Sequence, residues 1–195
     1  WGWTLSFILF SMAIGIVTGF IFDRLVAKGV LPANPNHTNR DSNSSITPQI
    51  MVLIKQADYS PNAIGKLLWD GLKDSRMVFR WLFFGLVLAT AIRAFMPLDT
   101  YQTLFGPTVA GLFLTLLVAT IIEVCSEGST PLAADILTRA AAPGNGFTFL
   151  MAGVATDYTE VMVIRDTTKS WKIALFLPLI TLPQVLVIGW VLNQV

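Results

Sequence analysis

Residues 104–131 read LFGPTVAGLFLTLLVATIIEVCSEGSTP, an apolar run about as long as a bilayer is thick, closed by two carboxylates, a thiol and helix breakers. Ionisable groups at the end of a membrane segment are costly. A charge near the bilayer centre costs about 2.5 to 3.5 kcal/mol on insertion scales, so such residues mark transport, relay or ligand roles by default. A second polar interruption, Thr156-Asp157-Tyr158-Thr159-Glu160, lies inside the next apolar run. Two interrupted helices point to one shared site.

The composition fixes the solvent. Of the 195 residues, 54% are apolar and 13% charged, and the mean hydropathy is +0.65; these values describe an integral membrane protein. The fold class that follows is all-α, with about five transmembrane helices and a broken or re-entrant segment near 123–142. The candidate spans are Gly2 to Phe22, Trp81 to Met96, Leu104 to Ile122, Gly146 to Ile164 and Trp171 to Leu192. Arg93 lies in the second, where its side chain can snorkel to the interface. The formal charge of +1 carries no clustered basic face, so nucleic acid is not an expected partner. One cysteine forms no internal disulfide, and no cofactor motif is present. The chain opens on Trp1-Gly2-Trp3, directly in an apolar helix, and reads as a piece of something longer.

The organisation is a transmembrane helix over 1–25, a polar cytoplasmic linker over 26–60, an interfacial amphipathic helix over 61–80 and a membrane-embedded unit over 81–195. Pro32 to Pro48 is rich in Asn, Ser, Pro and Thr and cannot bury enough apolar surface to order itself. Two glycosylation-type triplets, Asn36-His37-Thr38 and Asn43-Ser44-Ser45, fall there and matter only in a secreted loop. His37, the one histidine, has no neighbouring metal partners. From 64 to 74, Ile64, Leu67, Leu68 and Leu72 share one helical face while Lys66, Asp70, Lys73 and Asp74 take the other.

Lys and Arg accumulate on the cytoplasmic side of membrane helices. That rule puts Asp23 to Arg80 inside, Leu98 to Thr103 outside, and the loop of Arg165, Lys169 and Lys172 inside, so 23–80 and 165–172 are read as cytoplasmic. Two plain crossings between Thr103 and Arg165 would leave the last loop on the wrong side. One more crossing or a re-entry is needed. Pro131 to Ala142 is the segment to supply it, with Pro131 in a first helical turn and Pro143-Gly144-Asn145-Gly146 as the stop. A helix starting at Pro131 would place Gly128, Ser129 and Thr130 at its positive N-terminus, as discontinuous transporter helices do.

The run Glu-Val-Cys-Ser-Glu-Gly-Ser-Thr-Pro-Leu-Ala-Ala-Asp over 123–135, then Pro-Gly-Asn-Gly and Met-Ala-Gly-Val-Ala-Thr-Asp-Tyr-Thr-Glu over 151–160, resembles the bacterial predicted-permease family that includes the organoarsenical efflux permeases (ArsP-type). The resemblance covers roughly Asp74 to Val195 and looks like the second half of a two-part protein, with Trp1 to Leu25 as the end of the first half. It implies a multi-pass inner-membrane permease, with Cys125 in a cysteine motif and Gly153 to Glu160 in a second polar motif. The family does not fix the substrate.

The candidate substrate-binding residues are Glu123, Cys125, Ser126, Glu127, Ser129, Thr130, Thr156, Asp157 and Glu160, with Cys125 also a soft metal ligand. Thiolates suit trivalent arsenic and other soft species, but one thiol is one ligand, so a partner thiol would come from a missing half or another subunit. The carboxylates Glu123, Glu127, Asp157 and Glu160 would carry protons or cations. Each residue also has a bland reading: Cys125 as a small buried apolar group, Asp135 with Arg139 as an i,i+4 ion pair, Arg165 and Asp166 as a solvated loop, and Gly15 and Gly19 as a helix-packing stripe. The expected partners are the lipid bilayer, a small-molecule or metalloid substrate, and a missing first half or a second copy. The expected function is a permease, an efflux transporter and not an enzyme. Two alternatives remain: a non-transporting subunit of a membrane assembly, and an intramembrane aspartyl enzyme built on Asp135 with Asp157.

Overall fold

The computed structural model describes residues 2–32, 61–122 and 126–194; the linker with His37 and both triplets, and Glu123, Val124 and Cys125, lie outside them. The described residues form helices and no strand: α1 (Gly2–Ala27), α2 (Pro61–Phe95), α3 (Leu98–Phe105), α4 (Val109–Ile122), α5 (Ser126–Arg139), α6 (Pro143–Thr156), α7 (Tyr158–Thr168) and α8 (Trp171–Leu192). The protein is an all-α membrane protein. Among the described residues, four helical stretches are long and apolar enough to cross a bilayer, or five if the bent pair α3–α4 is one span.

Leu104 to Ile122 is not the straight span that its apolarity suggests. The chain turns by 93° between α3 and α4, at Gly106-Pro107-Thr108. Pro107 lacks an N–H and fixes its φ, and the Thr108 hydroxyl accepts the Gly111 N–H to start α4 afresh. Backbone carbonyls freed by a bend inside a membrane protein need partners. Asn145, fully buried, supplies them: its Nδ2 donates to the carbonyls of Phe105 at 2.8 Å and Gly106 at 2.9 Å. Its Oδ1 accepts from Asn193 Nδ2, and Asn193 Oδ1 in turn accepts the Gly144 N–H. The α3–α4 bend, the start of α6 and the end of α8 are thus tied in one knot.

Glycine permits the close crossings around that knot. A Cβ on Gly144 would strike the Gly189 carbonyl, and one on Gly189 would strike the Thr148 hydroxyl. Likewise a Cβ on Gly85 of α2 would meet the carbonyl of Gly128 in α5. Gly85 with Gly128, Arg93 with Asp135 and Met96 with Arg139 show that α2 and α5 run in the same direction. α4 and α6 run the opposite way, from the knot down to the Thr120–Thr156 contact. α1 descends beside α6 and α8, with Phe7 and Phe10 edge-on to Phe147 and Thr18 bonded to Gln184. Consequently α1 ends, α2 begins, and α7 passes into α8 at one end of the bundle, while 96–103 and 139–145 sit at the other. The two basic segments lie at the same end, and a re-entry between Thr103 and Arg165 reconciles the crossing count.

That re-entry is α4 with α5. Each has 14 residues, about 20 Å at 1.5 Å per residue, short of the roughly 30 Å hydrocarbon core. Several expectations are corrected in detail. The amphipathic segment 61–80 and the span from Trp81 are one helix, α2, because no breaker separates them. α5 starts at Ser126, so Pro131 lies inside it and Ser129 and Thr130 are within its first turns, not ahead of its N-terminus. Arg165 and Asp166 belong to α7, paired at 2.9 Å, with Arg165 over the Trp171 ring. Gly15 and Gly19 meet nothing within 4 Å, so their stripe packs no helix among the described residues.

Gly189→Val is expected to lower the melting temperature of the detergent-purified protein by several degrees, since the added branch meets a side chain and the Gly144 carbonyl, and overpacking costs about 1–3 kcal/mol. Gly15→Val, built into open space, is expected to leave it unchanged. Asn145→Ala removes the donor to two carbonyls and is expected to destabilise by about 2 kcal/mol, read by the same thermal scan.

Candidate functional site

The lower end of α4 and the α6–α7 junction fall at one depth. α4 and α6 both start at the Asn145 knot, run parallel and contain 14 residues each. They therefore stop together, about 20 Å from the knot. Contact at that level is direct, with Thr156 Oγ1 at 3.5 Å from Thr120 Oγ1. Thr156 also donates to the Ala152 carbonyl and Thr120 to the Leu116 carbonyl, so both hydroxyls lie against helix backbone and have lone pairs left to accept. Asp157 ends α6 and caps α7: its Oδ1 accepts the Thr159 N–H at 2.7 Å. A carboxylate there also offsets the partial positive charge of the new N-terminus.

The anticipated residues separate into three groups. Glu123 and Cys125 lie outside the described residues, and of Ser126 only the backbone is described. Glu127 is half-buried, Ser129 is buried and Thr130 is exposed, all in the opening turns of α5 beside the Gly85–Gly128 crossing. Thr156 and Asp157 sit at the junction, but Glu160, one turn on, turns toward α1. It lines a cleft of about 250 Å³ with Ser11, Thr18, Ala155 and Thr181. The Thr181 hydroxyl in that cleft is buried without a hydrogen-bond partner among the described residues. Among the described residues no group of three His, Cys, Asp or Glu side chains is arranged to hold a metal.

The structure also assembles a cluster at the opposite end that the sequence reading did not join. Leu86, Ala89, Thr90 and Arg93 fall at i, i+3, i+4 and i+7 on α2, and Pro131, Ala134, Asp135 and Thr138 repeat that spacing on α5. The two stripes face each other around a cavity of about 310 Å³. Asp135 is 2% exposed and takes Arg93 Nε at 2.5 Å and Arg139 Nη1 at 3.4 Å. Arg139 continues to the Met96 carbonyl at 3.4 Å, and its guanidinium lies 4.6 Å from the Tyr101 ring centroid. The i,i+4 pair of Asp135 and Arg139 is therefore present, inside a larger network. Arg93 does not merely snorkel: it reaches across to a second helix.

An aspartyl dyad of Asp135 with Asp157 does not form. Asp135 lies about one turn below the knot end of α5, and Asp157 lies 14 residues down from Pro143, so the two differ by about 15 Å in depth. Each is held by its own partners.

The family model for a predicted permease of the ArsP type matches residues 1–194. The chain belongs to that permease family. The match extends through α1 and residues 26–73, which the motifs alone did not reach. No curated protein and no solved structure matches the chain. Membership makes it a membrane permease. For this permease, Asp135→Ala would leave two arginines without their carboxylate. The expected loss is about 2 kcal/mol, below the ~3–5 kcal/mol of a fully buried pair because Arg93 is half exposed. Arg93→Gln is expected to cost less, since Arg139 still pairs with Asp135; thermal unfolding of both variants reads the order.

Proposed function

We propose that this permease moves a small solute outward across the cell inner membrane through the level where the lower end of α4 meets the α6–α7 junction. The observation that carries the reading is the shared depth of the two interruptions, bridged at Thr120 and Thr156. Interrupted helices leave backbone and short polar side chains at a depth where they are tolerated only beside protein or water, which is how secondary transporters build midplane sites. The basic segments around Arg24 and Arg165 at one end of the bundle support a cytoplasmic assignment for that end.

In this reading Cys125 is the soft ligand for a metal or metalloid species, and Glu123, Ser126, Glu127, Ser129, Thr130, Thr156 and Asp157 are its polar surroundings. Carboxylates at that depth would alternate between protonated and ionised forms and couple transport to a proton gradient. Glu160, facing the α1 cleft, would serve protons more readily than substrate. Apolar side chains such as Leu5, Ile8, Met12, Leu68, Phe79 and Phe83 are exposed and suit lipid or a further protein half. A partner half or a second copy would supply any additional thiol.

Uptake of trivalent phenylarsine oxide into everted vesicles carrying the full-length protein tests the reading. Cys125→Ala and Glu127→Gln are each expected to reduce flux at least tenfold while expression holds. Unchanged flux in both would remove this level from the transport path.

A further inference from the structure

The cluster of Arg93, Asp135, Arg139 and Tyr101 holds two cations against one anion, and the surplus is localised. Arg139 is committed on three sides: to the Asp135 carboxylate, to the Met96 carbonyl and to the Tyr101 ring. Among the described residues, Arg93 is bonded through Nε alone, and its side chain is 55% exposed at the cavity between α2 and α5. A guanidinium held by Nε is fixed in direction, which leaves its terminal nitrogens as a planar pair of donors, the geometry that matches a carboxylate or related oxyacid. Among the described residues, no carboxylate other than Asp135 lines the cavity. The hydroxyls of Thr90 and Thr138 already donate to the carbonyls of Leu86 and Ala134, so neither competes with Arg93 as the donor to an anion.

The rest of the wall is apolar: Leu86, Ala89, Pro131 and Ala134. Its volume, about 310 Å³, falls at the small end of ligand sites, which run from ~300 to 1,000 Å³. We propose that this cavity binds an anionic oxyacid group carried on a small apolar body, the acid on Arg93 and the body between α2 and α5. The site lies at the end of the bundle opposite the basic segments and does not rest on the transport reading. Asp135 is a positioning residue here, since it aims Arg93 and itself repels the anion.

Benzoate is the probe, titrated into the full-length protein in phosphatidylcholine nanodiscs and followed by thermal shift and by equilibrium binding with the radiolabelled acid. Benzyl alcohol, of nearly the same shape without the charge, is the control. Saturable benzoate binding is expected, with none for benzyl alcohol. Arg93→Gln is expected to weaken it at least tenfold, Arg93→Lys to restore part of it, and Ala134→Phe, which fills the cavity from an exposed position without touching the ion pairs, to weaken it as much as Arg93→Gln. A parallel series with added phosphatidylglycerol separates the two sources of the acid. If the lipid displaces benzoate or alone gives an Arg93-dependent shift, the natural occupant is a lipid headgroup; if it does not, the occupant is a soluble acid. Benzoate binding that is equal in Arg93→Gln and the parent, or no Arg93-dependent response to either benzoate or phosphatidylglycerol, would overturn the proposal.

Discussion

A chain that bends in the membrane frees carbonyls that lipid does not satisfy, and the arrangement of this permease follows from how one side chain meets that demand. Asn145 is a neutral residue with two donors and an acceptor, all used: two carbonyls at the α3–α4 bend and one amide on α8. An apolar residue there would strand the bend, and a charged one would bring its own desolvation cost. Because α4 and α6 both descend from this point over equal lengths, their lower ends are level. The depth of the polar interruptions is thus set some 20 Å away from them, by a hydrogen-bond knot that contains none of the candidate transport residues.

The two ends of the molecule are built by different means. At the knot end Asn145 pairs with backbone carbonyls and Asn193, and the charged groups form a network that ties the long helix α2 to the re-entrant α5. At the lower ends of α4 and α6, the described polar groups are short hydroxyls, the Glu127 carboxylate and the capping carboxylate of Asp157, and backbone approaches backbone at Gly85 and Gly128. Gly85 and Gly128 set α2 against α5 at one level, and Arg93 with Asp135 fix the same pair of helices some ten ångströms along. Movement of α5 relative to α2 would have to break that ion pair, so the network holds the re-entrant hairpin in register.

Much of this was legible from local pattern. The membrane class, the positions of α1 and α8, the presence of a re-entry and the i,i+4 pairing of Asp135 with Arg139 all follow from composition or short-range spacing, and the family followed from motifs over 123–160. What escaped was set by contacts distant in sequence. Asn145 read as part of a helix stop in Pro143-Gly144-Asn145-Gly146; its role depends on carbonyls 39 and 40 residues earlier. Arg93 read as a snorkelling cation because its carboxylate lies 42 residues on. Pro131 read as the first residue of a helix, yet five residues before it are already helical. A proline within the first two turns removes one hydrogen bond near an end where several are unmade in any case. Gly106-Pro107 inside an apolar run was the one local signal of the 93° bend, overridden by the length of the run.

The most direct test of the common depth is an engineered cross-link at its single described contact. In a Cys125→Ser background, the pair Thr120→Cys and Thr156→Cys should form a disulfide in native membranes under mild oxidation, since the parent hydroxyls are 3.5 Å apart. A pair displaced by two turns, Thr120→Cys with Phe149→Cys, should not. Absence of the first cross-link while both cysteines remain alkylatable, or formation of the second in its place, would contradict the account.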